Sequence, residues 1–221
     1  MVSGYGFGNL GLYGNLTTYG TLTLTESSPP QSWTEPLSVA EMITYLRLPS
    51  LTQPQTDEMG GFITAAREQA EILQNRDLVR KQWDLVADYW TSYTVELRSP
   101  LVSVDLVQYR DSTGAITALN ETDNYLVDKN KQPGIITPLF NTTWPNFAPS
   151  PSSAILIRFT SGYLSTSAYW NDAGARVKIG MRLLVSDWWN NRYSVQVSQD
   201  ADGIPRWLRA LLSQGCLARA R

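Results

Sequence analysis

The period of the hydrophobic pattern changes twice along this chain, and those two changes limit what it can fold into. From Ser38 to Leu73 the apolar residues recur at helical spacing, from Leu78 to Tyr163 they alternate, and from about residue 172 the helical spacing returns. In LVRKQWDLVAD, Val79, Trp83, Leu85 and Ala87 share one face at period two, and in SAILIRFTSGY so do Ile155, Ile157 and Phe159. Val177, Met181, Leu184 and Trp188 then form one stripe of an amphipathic helix of about 20 residues. Helices and strands segregated in this order argue for an α+β fold. The expected architecture is a small helical bundle, two N-terminal helices and one long C-terminal helix, with an inserted set of short antiparallel strands and extended N- and C-terminal arms.

Local signals set the expected boundaries. Ser38 and Glu41 make a capping box that starts a first helix over 38–48, which ends before Pro49 with Met42, Ile43 and Leu46 on its apolar side. A second helix is expected over 57–75. Asp57 and Glu58 sit in its favourable first turn, and Phe62, Ala66, Ala70 and Leu73 form its stripe. Strands fill 78–160, with Asp111 to Gly114 as a hairpin turn. The long helix covers 172–193, where Trp188 and Trp189 point about 100° apart, so that one can be core while the other faces outward.

Three regions follow: an arm and Pro/Ser linker over 1–36, a core over 37–195, and a C-terminal linker and basic helix over 196–221. The first 25 residues carry no charge and alternate glycine with Tyr5, Phe7, Tyr13 and Tyr19. So much glycine opposes a helix. The pattern suits an arm that adds a strand to a neighbouring subunit or docks its aromatics there. After Arg206 the last segment holds arginines and no acid, with Trp207, Leu208, Leu211 and Leu212 as its apolar side.

Composition narrows the chemistry. The chain has no histidine and one cysteine, Cys216. Serine–histidine and cysteine–histidine catalysis and zinc sites are thereby excluded, while carboxylate-only enzymes remain possible. No phosphate-binding loop or calcium-loop spacing occurs, so no catalytic residue, cofactor or metal is expected. A net charge of -2 with 17% charged residues argues against gripping duplex DNA, which needs a basic face. The first ten residues lack a secretory signal and no apolar run is long enough to span a membrane. The eight tryptophans suit core anchors, interface hot spots or a sugar-stacking surface.

From residue 36 to about 193 the order of motifs resembles the head–tail connector (adaptor) family of tailed phages and gene transfer agents. EPLSVAEMITYLRLP is similar to that family's opening helix. TDEMGGFITAAREQAEILQNRDLVRKQWDLVAD is similar to its second helix and first strand, and LRSPLVSVDLVQYRDSTGAITALNETDNYLVD to its hairpin region. PGIITP and AILIRFTSGY match the next strands, and LLVSDWWNNR the end of the long helix. Departures are the missing histidines, Trp189 where tyrosine is more usual, and the glycine-aromatic arm.

The resemblance implies a structural virion protein, not an enzyme. It implies a ring of this chain, usually dodecameric, in the neck between the portal protein and the tail or next neck protein. The ring extends the channel through which the genomic DNA passes without sequence-specific binding. It also implies assembly in the host cytoplasm and a C-terminal segment that reaches the portal. Carried onto this sequence, the expected portal contacts are Arg206, Trp207, Arg209, Leu211 and Leu212. A tail or receptor- and sugar-binding virion protein is the alternative.

Overall fold

The computed structural model describes residues 23–28, 34–90, 92–111, 113–145, 153–171, 173–191 and 206–213. Among these, four α-helices and eight strands form an α+β structure with antiparallel sheets. Helix α1 (Val39–Leu46) starts as its sequence requires. The Ser38 N–H donates to Glu41 Oε2 at 2.8 Å, and Ser38 Oγ accepts from the Glu41 N–H at 3.2 Å. Arg47 closes it in a left-handed conformation, φ 53°, before Pro49.

Helix α2 (Gln53–Gln74) begins one turn earlier than the acids at 57 and 58 suggest. Gln55 Oε1 accepts from both the N–H and the hydroxyl of Thr52 at 3.0 Å. Pro54 in the first turn costs nothing, because its missing N–H has no helical partner there. The buried stripe is also rotated from the expected one. Met59, Ile63, Ala66 and Ala70 are fully covered, whereas Phe62 and Leu73 are half-buried at its margin. Helix α3 (Ala173–Asn190) buries Val177, Met181, Leu184 and Val185 against α2, and α4 (Arg206–Leu212) lies on α3. Trp188 and Trp189 are both half-buried against this helical core, so neither is the outward-facing one.

A second core lies within the strands. Strands β1 (Thr23–Ser28), β2 (Lys81–Ala87), β4 (Leu101–Arg110), β5 (Ile116–Leu119) and β8 (Ile155–Ser161) make a five-stranded sheet in the order β1-β2-β8-β4-β5. Strands β3 (Val95–Leu97), β7 (Gly134–Pro138) and β6 (Tyr125–Asp128) make a three-stranded sheet in that order. Both bury residues in one cluster that includes Leu85, Val95, Leu97, Val107, Ile136, Ile157 and Phe159. The alternation along β8 is strict: Ile155, Ile157, Phe159 and Ser161 are buried, and Leu156, Arg158 and Thr160 face the other way. In register, Leu85 pairs with Ile157 on the core face and Asp84 with Arg158 on the polar face.

Strand β1 precedes the core expected to begin at residue 37. Glu26 to Ser28 were expected in a linker, yet Thr23–Ser28 completes the sheet of its own chain, with Leu24 opposite Leu85. The threonine-rich repeat there is extended, as its composition favours, and it finds a partner within the same molecule.

Candidate interaction surfaces

Where the helical layer meets the sheet, two buried carboxylates gather the charged side chains. Glu71, on α2, accepts from Arg67 Nη1 at 2.7 Å, Lys81 Nζ at 2.9 Å and the Leu78 N–H at 2.9 Å. Arg67 also reaches Glu35 Oε2 at 3.1 Å, which ties the segment before α1 to α2. Burial works against the Arg67 charge, but Glu71, Glu35 and Glu68 outweigh it and raise its pKa above the usual arginine value. Asp77, fully buried just past α2, takes Arg98 Nη2 at 2.7 Å and the Trp83 indole N–H at 2.9 Å. The Ser161 hydroxyl donates to the same carboxylate, and the Asp77 N–H donates to the Ser99 carbonyl. The Arg98 guanidinium also lies 4.8 Å from the Trp83 ring centroid. Charges this deep persist because every oxygen is matched. The seam fixes β2, β3 and β8 on the helices that must present the outer surface.

Helix α4 is similarly fastened. Leu212 is fully buried in the helical core, and the Gln74 amide donates to its carbonyl at 2.8 Å. Arg209 and Leu211 are half-buried, with Leu211 against the same core. Of the residues expected to meet a portal, Leu212 is therefore occupied within its own chain, while Arg209 and Leu211 keep part of their surface. The side chains of Arg206 and Trp207 lie outside the described residues, as do Tyr5, Phe7, Tyr13 and Tyr19.

Exposed apolar side chains occur in both the β half and the helices. Phe140, just beyond β7, is 86% exposed, with Tyr93 and Leu126 also exposed in the β half. On the helices, Ile72 of α2 and Ile179 of α3 are 56% and 50% exposed. The described tryptophans are all buried or half-buried. Trp90 and Trp144 stack on each other at 4.1 Å, and the Trp144 N–H is satisfied by the Tyr93 carbonyl. They are thus not a free sugar-stacking platform.

Among the described residues no group of three or more histidine, cysteine or acidic side chains is placed to hold a metal ion, and no helix is long and apolar enough to cross a membrane. What the arrangement offers is surface: a rigid α+β body with two helix faces turned outward. The buried seam was not expected from sequence. Arg67 and Glu71 stand at i, i+4, which reads as a solvated helix pair, and only the flanking Ala66 and Ala70 hint that this side is covered.

No family model matches the sequence, and no curated protein does. Solved structures do. A chain in the neck of an empty gene transfer agent particle, computed with C6 symmetry, superposes with a TM-score of 0.68 at 18% identity. A chain in the virion of the native gene transfer agent particle gives 0.66 at 18%, and one in the neck of the native particle, computed with C12 symmetry, gives 0.64 at 17%. Each match covers 90% of this chain and 97% of the other. The chain thus shares its fold, over nine-tenths of its length, with chains of gene transfer agent particles.

Proposed function

We propose that this chain is a structural neck protein of a phage-like particle, a head–tail connector adaptor that forms a ring between the portal protein and the tail or next neck protein. The observation that carries this reading is the end-to-end match to a chain from a particle neck, which spans 97% of that chain. Sequence motifs and fold lead independently to the same class. The twelvefold symmetry used for one such neck supports a dodecamer. A closed ring needs heterologous contacts, one face of each copy against a different face of the next.

In this role the protein acts by docking, without a catalytic step, cofactor or metal. It is located in the virion neck and assembles in the host cytoplasm, and genomic DNA passes through its lumen without sequence-specific contacts. The net charge of -2 suits a channel that lets DNA slide. The uncharged, aromatic first 22 residues serve as the arm to a neighbouring subunit. The portal side is formed by Arg206, Trp207, Arg209 and the free part of Leu211, with Leu212 anchoring the helix from beneath.

The test is to mix the purified chain with the portal of its own particle and image the product by electron microscopy. A ring on one end of the portal is expected, and absence of any complex would refute the adaptor role. The portal surface is best probed with Arg206→Glu and Arg209→Glu. Deleting α4 would also strip Leu212 from the core and confuse docking with folding.

A further inference from the structure

We infer that neighbouring copies in the ring meet through the outer face of α2 on one chain and the outer face of α3 on the next, an inference that rests on the neck reading.

Both helices bury one side in the same core and, among the described residues, keep exposed positions on the other. On α2 the uncovered stripe runs through Asp57, Gly61, Ala65, Glu68 and Ile72, at the three- and four-residue spacing of one helix face. On α3 it runs through Arg176, Ile179 and Asn190, with Lys178 and Arg182 half-exposed beside it, Arg182 being paired with Glu41 at 3.2 Å. The two stripes are opposite in charge: the first carries acids and no exposed cation, and the second is basic along its N-terminal half. No hydrogen bond or ion pair reaches Arg176 among the described residues. Among the described residues Glu68 pairs with the buried Arg67, at 3.4 Å, which is already shared with Glu35 and Glu71.

Each stripe also holds an aliphatic side chain at least half exposed, Ile72 and Ile179, within one helical turn of a charge. Opposite charges beside apolar anchors are what a specific, register-setting interface needs. The distribution along the chain agrees. Sixteen acids face ten Lys and Arg up to Ser161, whereas eight cations face four acids after it. The acidic α2 face repels the same face of another copy. It attracts one placed α2 to α3, the head-to-tail arrangement that closes into rings. Gly60 and Gly61, where an added Cβ would meet nothing within 4 Å, leave the α2 face low enough for a neighbouring helix to approach.

The decisive experiment uses two chains in a Cys216→Ser background, one bearing Ile72→Cys and the other Ile179→Cys, assembled together on the portal and mildly oxidised. Both substitutions fall on exposed positions, and unchanged melting of each chain alone verifies its fold. The expected product is the mixed disulfide, at least tenfold above either self-disulfide. Glu68→Arg on the first chain should abolish it, and Arg176→Glu on the second should bring it back. Self-disulfides in place of the mixed one, or none in a sample where microscopy shows rings, would overturn the α2–α3 contact and leave the neck reading intact. Absence of rings on the portal would overturn both.

Discussion

Gly180 of α3 lies directly beneath Leu212 of α4: a Cβ on Gly180 would stand 2.5 Å from Leu212 Cδ2 and 3.1 Å from its Cγ. Glycine within a helix costs about 1 kcal/mol relative to alanine, and here it makes room for the terminal helix. Gly180→Val should therefore dislodge α4. Limited proteolysis should then cut near residue 205 far sooner than in the parent chain. Leu212→Ala should lower stability by about 2–5 kcal/mol in a denaturant titration, the usual loss for a buried leucine.

Asp77 is the most exacting polar position. Asp77→Ala leaves the Arg98 charge and the Trp83 and Ser161 donors without their buried acceptor. Breaking a buried pair from one side costs about 3–5 kcal/mol, so this variant should melt well below the parent. Asp77→Asn, which keeps an acceptor and the volume, should fall between them. Equal stability of all three would show that the seam contributes nothing.

Tyr169 should make the protein sensitive to alkali. Burial, with help from the neighbouring Tyr163, pushes its hydroxyl up to about 12. Its ring stacks on Tyr163 at 3.9 Å, and the hydroxyl donates to Gln74. A raised folded-state value means that the neutral form stabilises the fold. This contribution is complete below the unfolded value near pH 10 and is lost as pH rises toward 12. Ultraviolet titration should show Tyr169 among the late-ionising tyrosines, and Tyr169→Phe should remove its step.

At the acid end, Glu41 acts in the opposite sense. Its partial burial favours the neutral form, but the Ser38 hydrogen bonds and the nearby Lys178 and Arg182 prevail and lower its pKa. The stabilisation is present above the ordinary glutamate value and fades as pH falls through the lowered one. Ser38→Ala should cost about 0.5–2 kcal/mol at neutral pH, and less once Glu41 is protonated, measured by thermal melts at both pH values.

Periodicity made much of this fold legible. The alternation in Ile155, Ile157 and Phe159 specified a buried strand face, and the Ser38–Glu41 box specified a helix start, because each signal is local. Three features were hidden for physical reasons. The start of α2 was obscured by Gly60-Gly61, which weakens the helix pattern, and by a capping box built on Gln55 where an acid is the louder signal. Strand β1 was read as arm because its partner, β2, lies some 60 residues on, and pairing at that distance leaves no local mark. Arg67 and Glu71 carry charges that sequence places in water, and only the closing of the sheet against α2 buries them. Of the apolar side expected on α4, only Leu211 and Leu212 have described side chains. That Leu212 is spent inward became clear only with Gly180 opposite it.

The sheet order also sets the order of assembly. Strand β8, the last to be synthesised, is the central one: β2 and β4 each pair with it and not with each other. The large sheet has no middle until about residue 161 has left the ribosome, so the earlier strands β1, β2, β4 and β5 wait with open edges while α1 and α2, whose hydrogen bonds are local, form at once. Long-range closures of this kind are slow and leave the chain exposed to wrong pairing. The rate at which β8 enters its slot therefore governs how long each chain stands with those edges open.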